Sequence, residues 1–430
     1  MDAKASGKDQ QGRGPMVRVL LAPAARRFSS IVGSENGWMY DIVTGMIELC
    51  PELYFTCVAE TADALTCNHI EHYAIGRRRS EEIGGAALPL RIATATRRLG
   101  LLDRTDLVHH GLPFMPGRTY SVLAFQAARR NLPFVVGPIQ SPLAFYGSDE
   151  ASVRADMPQR TLAQVGSRTI ARIAWPVIST AVSRLSDATL CSAQRVVAID
   201  EPTRRLLIAR GVLPERIRVI PPPLRMAADK LPLRNVDSDT VRVVTVGYLI
   251  ERKAVNEVVT AVAHLAAAGI PVALDVVGDG PELPALRRLV GALPGGQSVR
   301  FHGWLERDAL MNVLSSAHVY ATMSRAESWG QAMVEAMALG LETVSAANDG
   351  ACSLVATGAP VRLVGIGAVA ELEAVLREWC SQTPALIESA GAAGIGWANS
   401  TVASPVVARQ WCDVYRQAAE ENAQALSIQG

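Results

Sequence analysis

Two acidic side chains with seven residues between them stand out among the residues that could take part in chemistry. Glu327 and Glu335 lie in AESWGQAMVEAMALG (326–340), where a loop after a strand leads into a helix that starts near Gly330. Glu327 then lies on the loop, and Glu335 lies about one and a half turns into the helix. The first backbone N–H groups of such a helix, here those of Gly330 and Gln331, can hold a diphosphate because the helix dipole favours negative charge there. Two glutamates at this spacing also occur in purely structural segments, so the pair alone leaves both interpretations open.

Two adjacent cations, Arg252 and Lys253, are further candidates for the same site. They lie at the turn of VGYLIERKAVNEVV (246–259), between a strand and the start of a helix. Cations at the carboxyl end of a strand can neutralise a leaving phosphate, whereas the structural alternative is a solvated pair at a loop tip. Of the 42 basic residues only four are lysines, and two of these lie within the first eight residues. A lysine at this turn therefore favours a functional role.

The elements that must position these residues follow the pattern of a parallel sheet with crossover helices, in which short β-branched runs alternate with helical stretches. The runs predict strands in the first half of the chain over 17–22, 54–59, 106–110, 133–137, 195–200 and 217–220. Further strands are predicted in the second half over 242–247, 272–278, 299–303, 318–322, 343–346 and 361–365. The stretch 147–190 has no strand signal and predicts two inserted helices.

A proline-rich and polar stretch, IPPPLRMAADKLPLRNVDSD (220–239), interrupts the alternation and predicts an interdomain linker. We therefore predict an α/β protein with two Rossmann-like, doubly wound domains that face each other across a cleft. Ligands of such sheets bind outside the carboxyl ends of the strands, so the cleft is the expected site. The predicted divisions are a disordered leader, an N-terminal domain, the linker, a C-terminal domain and a final helix, at 1–15, 16–225, 226–240, 241–396 and 397–425.

The composition excludes several classes of protein. Of the 430 residues, 49% are hydrophobic and 19% are charged, which permits a large core and excludes global disorder. A net charge of +1 argues against a protein that binds nucleic acid. The seven cysteines are dispersed and include no CxxC pair, which argues against a disulfide framework or a metal site and favours reduced thiols. The sequence contains no signal peptide and no transmembrane segment, so we expect a cytoplasmic protein with no resident cofactor.

Four segments of the second half occur in an order that resembles a known family. VGYLIERK, VVGDGPEL, VRFHGWL and AESWGQAMVEAMALG follow one another as in the C-terminal domain of retaining glycosyltransferases of the family 4 (group 1) type, which have the GT-B fold. The resemblance is strong from about residue 241 to about residue 358 and weaker over 17–220. It implies that a sugar moves from a nucleoside diphosphate sugar, of the UDP or GDP type, to an acceptor such as a small polar natural-product intermediate.

The resemblance also implies roles for individual residues. Glu327 matches the first glutamate of the E-x7-E motif, beside the donor sugar, and Glu335 matches the second, which binds the ribose hydroxyls. Lys253, with Arg252 beside it, matches the lysine that contacts the phosphates. A histidine, His109 or His110, is implied to face the sugar and phosphates. The backbone of the loop residues is implied to contact the same groups; these residues are Ser328, Trp329, Gly330 and Gln331. The first loop of each domain contributes one glycine, Gly37 in the N-terminal domain and Gly247 in the C-terminal domain.

The sequence departs from the family pattern at several positions, which puts the identity of the donor in question more than the fold. Tyr248 stands where an arginine is usual, so the phosphates must rely on Lys253 and Arg252. Trp329 replaces a phenylalanine and is expected to reshape the sugar pocket. Members of the family generally need no metal ion. The segment from Trp397 to Tyr415 resembles the helix that crosses back onto the N-terminal domain.

Other functions are compatible with the same residues. A sugar-nucleotide epimerase can share this fold, and a glycoside hydrolase would use Glu327 and Glu335 as its two carboxylates. A non-catalytic relative that binds nucleotide sugars is a further alternative, because a fold alone does not prove an activity. Peripheral membrane contact through the arginines of 77–79 or 97–98 is less favoured than solvated side chains.

Overall fold

The computed structural model describes most of the chain. The described residues are 16–24, 27–28, 35–62, 67–76, 88–111, 114–141, 168–224, 240–381 and 384–429. The predicted leader at 1–15 and nearly all of the predicted linker at 226–240 lie outside these residues.

Parallel strands form a seven-stranded sheet in the first half of the described chain, in the order β5-β3-β1-β6-β7-β8-β9. These strands are β1 (Val17–Leu21), β3 (Leu53–Ala59), β5 (Ile70–Ala74), β6 (Leu107–His110), β7 (Phe134–Ile139), β8 (Arg195–Ala198) and β9 (Ile217–Val219). A separate two-stranded pair joins β2 (Arg27–Phe28) to β4 (Thr61–Ala62). The predicted strands agree with the observed ones within two residues, but the edge strand β5 and the short pair were not predicted.

The second half contains a six-stranded parallel sheet in the order β12-β11-β10-β13-β14-β15. Its strands are β10 (Val241–Val246), β11 (Val272–Val277), β12 (Val299–Gly303), β13 (Val319–Thr322), β14 (Glu342–Ala346) and β15 (Val361–Val364). All six were predicted from their short β-branched runs. The chain thus has the predicted pair of doubly wound α/β domains.

Helices cover the sheets, which is why the central strands are apolar on both faces. In the first half they are α1 (Glu35–Leu49), α2 (Leu88–Arg98), α3 (Val122–Ala128), α4 (Arg168–Ser192) and α5 (Glu201–Ala209). In the second half they are α6 (Val255–Ala267), α7 (Leu283–Ala292), α8 (Arg307–Ser315), α9 (Gln331–Ala338), α10 (Asp349–Ala356), α11 (Val369–Cys380), α12 (Pro384–Thr401) and α13 (Ser404–Gln429).

The prediction of two inserted helices over 147–190 can be compared with the structure only in part. Residues 168–192 form one continuous helix, α4, and residues 147–167 lie outside the described residues. Ile178 is half exposed, so this helix is not buried around its whole circumference. No helix in the described part of the chain combines the length and the apolarity that a bilayer crossing requires.

The last two helices pack on different halves of the molecule. α12 packs on α9, and α13 packs along α1. The chain passes between the halves near Leu224, whose backbone N–H donates to the carbonyl of Val402 at 2.6 Å and whose carbonyl accepts from the hydroxyl of Ser404 at 3.1 Å. The final helix therefore contacts the N-terminal sheet layer although it follows the C-terminal sheet in sequence.

Candidate functional site

The order of strands in the second sheet reverses between β10 and β13, which pair directly with each other. At such a switch point the connections on either side run in opposite directions, and a crevice opens outside the carboxyl ends of the strands. Lys253 lies on the loop after β10, and Glu327 lies on the loop after β13. The structure therefore brings the two predicted segments together at this crevice.

Hydrogen bonds hold the two loops against each other. The backbone N–H of Arg325 donates to the carbonyl of Arg252 at 2.9 Å. The guanidinium of Arg252 donates in turn to the carbonyl of Ala326. In this structure the Arg252 side chain supports the loop that carries Glu327, and its direct contact with a substrate remains a prediction.

Lys253 and Glu327 form an ion pair between the Lys253 ammonium and a Glu327 carboxylate oxygen. The two side chains are 21% and 13% exposed, so the pair lies at the wall of the crevice and not in the core. Gly247 lies next to the Lys253 side chain, because a Cβ placed on Gly247 would lie 3.7 Å from Lys253 Cε. The pair holds an ammonium group beside the carboxyl ends of the strands, where it can contact a negatively charged ligand.

The first turn of α9 directly follows the loop that carries Glu327. Gly330 precedes the helix with φ of +79°, a conformation that favours glycine, and no side chain caps the helix. The neighbouring loop is fixed by Asn348, whose amide donates to the carbonyl of Ser324 at 2.8 Å while its side-chain oxygen caps α10. A fixed loop beside an uncapped helix start is an arrangement that can hold an anion.

Glu335 lies inside α9 and is nearly buried, with an exposed side-chain fraction of 8%. Its carboxylate accepts from the guanidinium of Arg307 at 3.1 Å. Arg307 was not identified from the sequence, because it belongs to α8 and only the packing of α8 beside α9 shows the pair. Burial raises the pKa of Tyr320 on β13, and the negative charges of Glu327 and Glu335 raise it further, so both carboxylates lie near the same strand.

Two polar side-chain atoms at this corner are buried. Among the residues that the structure describes, neither Nε1 of Trp329 nor Oε1 of Gln331 has a hydrogen-bond partner. Buried polar groups are normally paired, so a bound molecule or water that reaches this corner would satisfy them. The Trp329 ring itself is 1% exposed and packs in the core, so the prediction that this ring reshapes an open sugar pocket is not supported. Ser328, between Trp329 and Glu327, is partly buried.

The glycine turn after β11 packs directly on the loop after β10. The N–H of Gly247 donates to the carbonyl of Val277 at 3.0 Å, and the N–H of Leu249 donates to the carbonyl of Asp279 at 2.8 Å. A Cβ on Gly278 would overlap the carbonyl oxygen of Gly247. Glycine at 278 is therefore required for the close approach that fixes the strand end next to Lys253. Tyr248, at the same loop, is 57% exposed.

His109 lies in the N-terminal half and faces α13. Its ring is fully buried, and the carbonyl of Gly137 can only accept, so Nε2–H donates to it at 2.7 Å. Nδ1 then accepts from the hydroxyl of Tyr415 at 2.7 Å. Burial lowers the pKa of His109 to about 4, an effect that the bond to Gly137 partly opposes. Because both ring nitrogens form hydrogen bonds within the protein, His109 has no free ring nitrogen with which to contact a donor sugar.

His110 follows on the opposite face of β6, since side chains alternate along a strand. It lies at the carboxyl end of β6, is 1% exposed and packs edge-on against Phe114 with ring centroids 5.1 Å apart. The sequence left His109 and His110 as alternatives, and His110 is the one nearer the carboxyl ends of the strands. Gly37 is in the first turn of α1 and not in a loop, so the prediction that it belongs to a glycine-rich loop was wrong.

We expect the free energy of unfolding to depend on pH because His109 is neutral in the folded chain. The unfolded chain protonates this histidine below about pH 6.5, whereas the folded chain does so only near pH 4. Because the unfolded state binds more protons in this window, the free energy of unfolding falls as the pH is lowered. Between pH 7 and pH 5, wild type should lose about 2 kcal/mol more than His109→Gln. Urea unfolding of both proteins at the two pH values measures the difference, and parallel losses would contradict the assignment.

The carboxyl edges of the two sheets face each other. Gln331 Nε2 donates to the carbonyl of Pro223 at 3.4 Å, and the start of α10 contacts the start of α5. Burial raises the pKa of Asp200, which caps α5, and the charge of Asp349 on α10 raises it further. The crevice beside Lys253 therefore opens toward the N-terminal domain. The described residues contain no cluster of three or more histidine, cysteine, aspartate or glutamate side chains that could hold a metal ion.

Comparisons with known proteins agree with this architecture. Residues 233–391 match the family described as "Glycosyl transferases group 1". The chain is 30% identical over 287 residues to 2-deoxystreptamine N-acetyl-D-glucosaminyltransferase of Streptomyces fradiae. The matched stretch covers 65% of this chain and 64% of that protein. It is 28% identical over 173 residues to one subunit of human phosphatidylinositol N-acetylglucosaminyltransferase. This matched stretch covers 39% of this chain and 35% of that protein. The chain thus spans about a third of the human relative and 64% of the Streptomyces relative.

Solved structures of other proteins share the fold. The crystal structure of Anabaena HepE in complex with UDP superposes with a TM-score of 0.63 at 17% identity, covering 93% of this chain and all of that one. At this identity the likeness shows the fold, which is the GT-B fold. The match to the group 1 glycosyltransferases over residues 233–391 includes the four ordered segments of the second half.

Proposed function

We propose that the chain is a retaining glycosyltransferase that moves a sugar from a nucleoside diphosphate sugar to a small polar acceptor. The observation that carries the proposal is the meeting of Lys253, Glu327 and the uncapped start of α9 at the switch point of the second sheet. Each of the three suits one part of a diphosphate-linked sugar. The family match over 233–391 supports the same half of the molecule as the donor site.

The chemistry requires stabilisation of charge that appears during the reaction. When the bond between the anomeric carbon and the diphosphate breaks, positive charge develops on the sugar and negative charge on the leaving group. Fixed groups aimed at the developing charge accelerate such a step most. Lys253 and the first N–H groups of α9 would take up the negative charge, and Glu327 would lie beside the donor sugar. In this arrangement Lys253 exchanges its partner Glu327 for a phosphate oxygen.

Glu335 would hold the nucleotide by its ribose. A carboxylate accepts two hydroxyl donors well, and Glu335 presents its carboxylate from inside α9 with Arg307 as its ordered partner. A ribose bound there would place the diphosphate toward Gly330 at the start of the same helix. The protein of similar fold from Anabaena was crystallised with UDP, which supports a uridine or related nucleotide.

The acceptor is inferred from the names of two relatives. The Streptomyces fradiae relative, matched over the longer stretch, is named for 2-deoxystreptamine, a small polar ring. The human relative, matched over a shorter stretch, is named for a phosphatidylinositol. Since the longer match includes more of the chain, we propose a small polar acceptor of the aminocyclitol type.

A transfer assay tests the proposal. The full chain is mixed with UDP- or GDP-activated hexoses or N-acetylhexosamines, with and without 2-deoxystreptamine, and release of the nucleoside diphosphate is followed. We expect release that depends on the acceptor, a glycosylated product whose anomeric configuration matches the donor by NMR, and loss of both in Glu327→Gln. Epimerised nucleotide sugar formed without acceptor, cleavage of simple nitrophenyl glycosides, or tight nucleotide binding without turnover on any acceptor would contradict it, and each would favour one of the three alternatives.

A further inference from the structure

Two cysteines that lie far apart in sequence meet where the last helix packs on the first. Cys50 directly follows α1, and Cys412 lies in the third turn of α13. Their Sγ atoms are 2.8 Å apart although 362 positions separate them in the chain. This contact belongs to neither the crevice nor the sheets, and nothing in the proposed transfer reaction uses it.

The packing around the two thiols is tight and well fixed. The N–H of Cys50 donates to the carbonyl of Met46 at 2.7 Å, so the residue extends the hydrogen bonding of α1. Five residues before Cys50, Gly45 lets the helices approach closely, because a Cβ there would lie 3.0 Å from Cβ of Ala408 on α13. Since both backbones are held by helices in contact, the two thiols meet without a change in the fold.

The other five cysteines differ from this pair. In the described part of the chain none of them contacts another thiol; they are Cys57, Cys67, Cys191, Cys352 and Cys380. Cys191 and Cys352 are exposed and offer matched controls for simple surface reactivity. The position of the pair, not the number of cysteines, therefore singles it out.

We propose that Cys50 and Cys412 are a reversible redox pair, which a low-molecular-weight disulfide such as oxidised glutathione converts to an intramolecular disulfide. The thiolate of Cys50 attacks the small disulfide, forms a mixed disulfide and releases one small thiol. Cys412 then loses its proton to water and attacks the Cys50 sulfur, which releases the second small thiol. Two protein thiols and one small disulfide thus become one protein disulfide and two small thiols.

The two cysteines differ in the way that this sequence of steps requires. Cys50 is partly exposed and can meet the oxidant, whereas Cys412 is 7% exposed. Burial raises the pKa of the Cys412 thiol, and the neighbouring charges of Glu52 and Asp413 raise it further. The oxidant therefore meets Cys50 first, and the contact of Cys412 with the Cys50 sulfur makes the second step intramolecular.

The bond would tie the last helix to the first one. α13 supplies Tyr415 to the buried His109, and it begins just after Val402, where the chain crosses between the halves. Because the disulfide lies wholly on the N-terminal side of that crossing, it would stabilise the N-terminal domain without closing the crevice. Restriction of so long a loop in the unfolded chain is expected to raise the thermal unfolding midpoint by roughly 5 °C.

Oxidation of the full chain by oxidised glutathione, followed by peptide mass spectrometry without reduction, tests this. We expect a cross-linked pair of peptides that contain Cys50 and Cys412, a higher unfolding midpoint, and reversal of both by dithiothreitol. Cys50→Ser and Cys412→Ala should each abolish the cross-link and the shift, whereas Cys191→Ser should keep both. Glutathione adducts on Cys191 and Cys352 with no cross-linked pair, or a shift that persists in Cys50→Ser, would overturn the proposal.

Discussion

Replacing Lys253 with alanine is expected to lower kcat on the order of a thousandfold, which is the upper range for loss of one group that stabilises transition-state charge. The lysine ammonium is fixed at the crevice by its ion pair with Glu327, so its charge needs little reorganisation when the leaving diphosphate forms. Its removal also leaves the Glu327 carboxylate near the diphosphate with no cation between them. Steady-state rates of nucleoside diphosphate release at saturating donor and acceptor measure the effect.

Two further variants separate the position of the charge from charge in general. Lys253→Arg keeps a cation and should recover part of the rate. Arg288→Ala removes an exposed cation of α7 in the same domain and should leave kcat within about twofold of wild type. A Lys253→Ala enzyme that keeps a tenth or more of the wild-type kcat would rule out the proposed role of the lysine.

The second large effect is expected on nucleotide affinity. Glu335→Gln keeps the shape of the side chain but removes the charge that accepts the ribose hydroxyls. Hydrogen bonds to a charged group contribute about 1.5–3 kcal/mol, so the dissociation constant for the nucleoside diphosphate should rise roughly 100-fold. The donor KM should rise similarly, while kcat changes by only a few-fold, because the contact is present in both the ground and transition states. Titration calorimetry with UDP and GDP measures the affinity.

The ion pair between Glu335 and Arg307 offers the control for this variant. Arg307→Ala breaks the same pair but keeps the carboxylate, so nucleotide affinity should change by only a few-fold. If both variants lost affinity equally, the ion pair and not a ribose contact would explain the result. If neither lost affinity, Glu335 would have no role in nucleotide binding.

The sequence predicted the central strands of the second sheet because β10, β11 and β13 are short, largely apolar runs. β13, for example, is buried at every position, as expected for a strand covered on both faces. β5 was missed because it lies at the edge of its sheet and carries Glu71 and His72 among its five residues. An edge strand needs no continuous apolar run, so its polar residues hid the signal.

The placement of Glu327 on a loop and of Glu335 inside a helix was predictable because both residues lie in one short segment. The E-x7-E segment defines the loop and the start of α9, and the structure brings Lys253 to Glu327 at the sheet edge. The sequence did not show which of the two adjacent histidines is hydrogen-bonded inside the domain. The answer depends on Tyr415, which is 306 positions from His109. Arg307 was missed for the same reason, since its contact with Glu335 arises from packing between helices and not from local spacing.

A crystal structure of the chain with a bound nucleoside diphosphate tests the central claim most directly. We predict that the diphosphate lies between the Lys253 ammonium and the backbone at Gly330, with the ribose hydroxyls on Glu335. Nucleotide density at any place that leaves these three groups without a contact, or a crystal that takes up no nucleotide at millimolar concentration, would contradict the account.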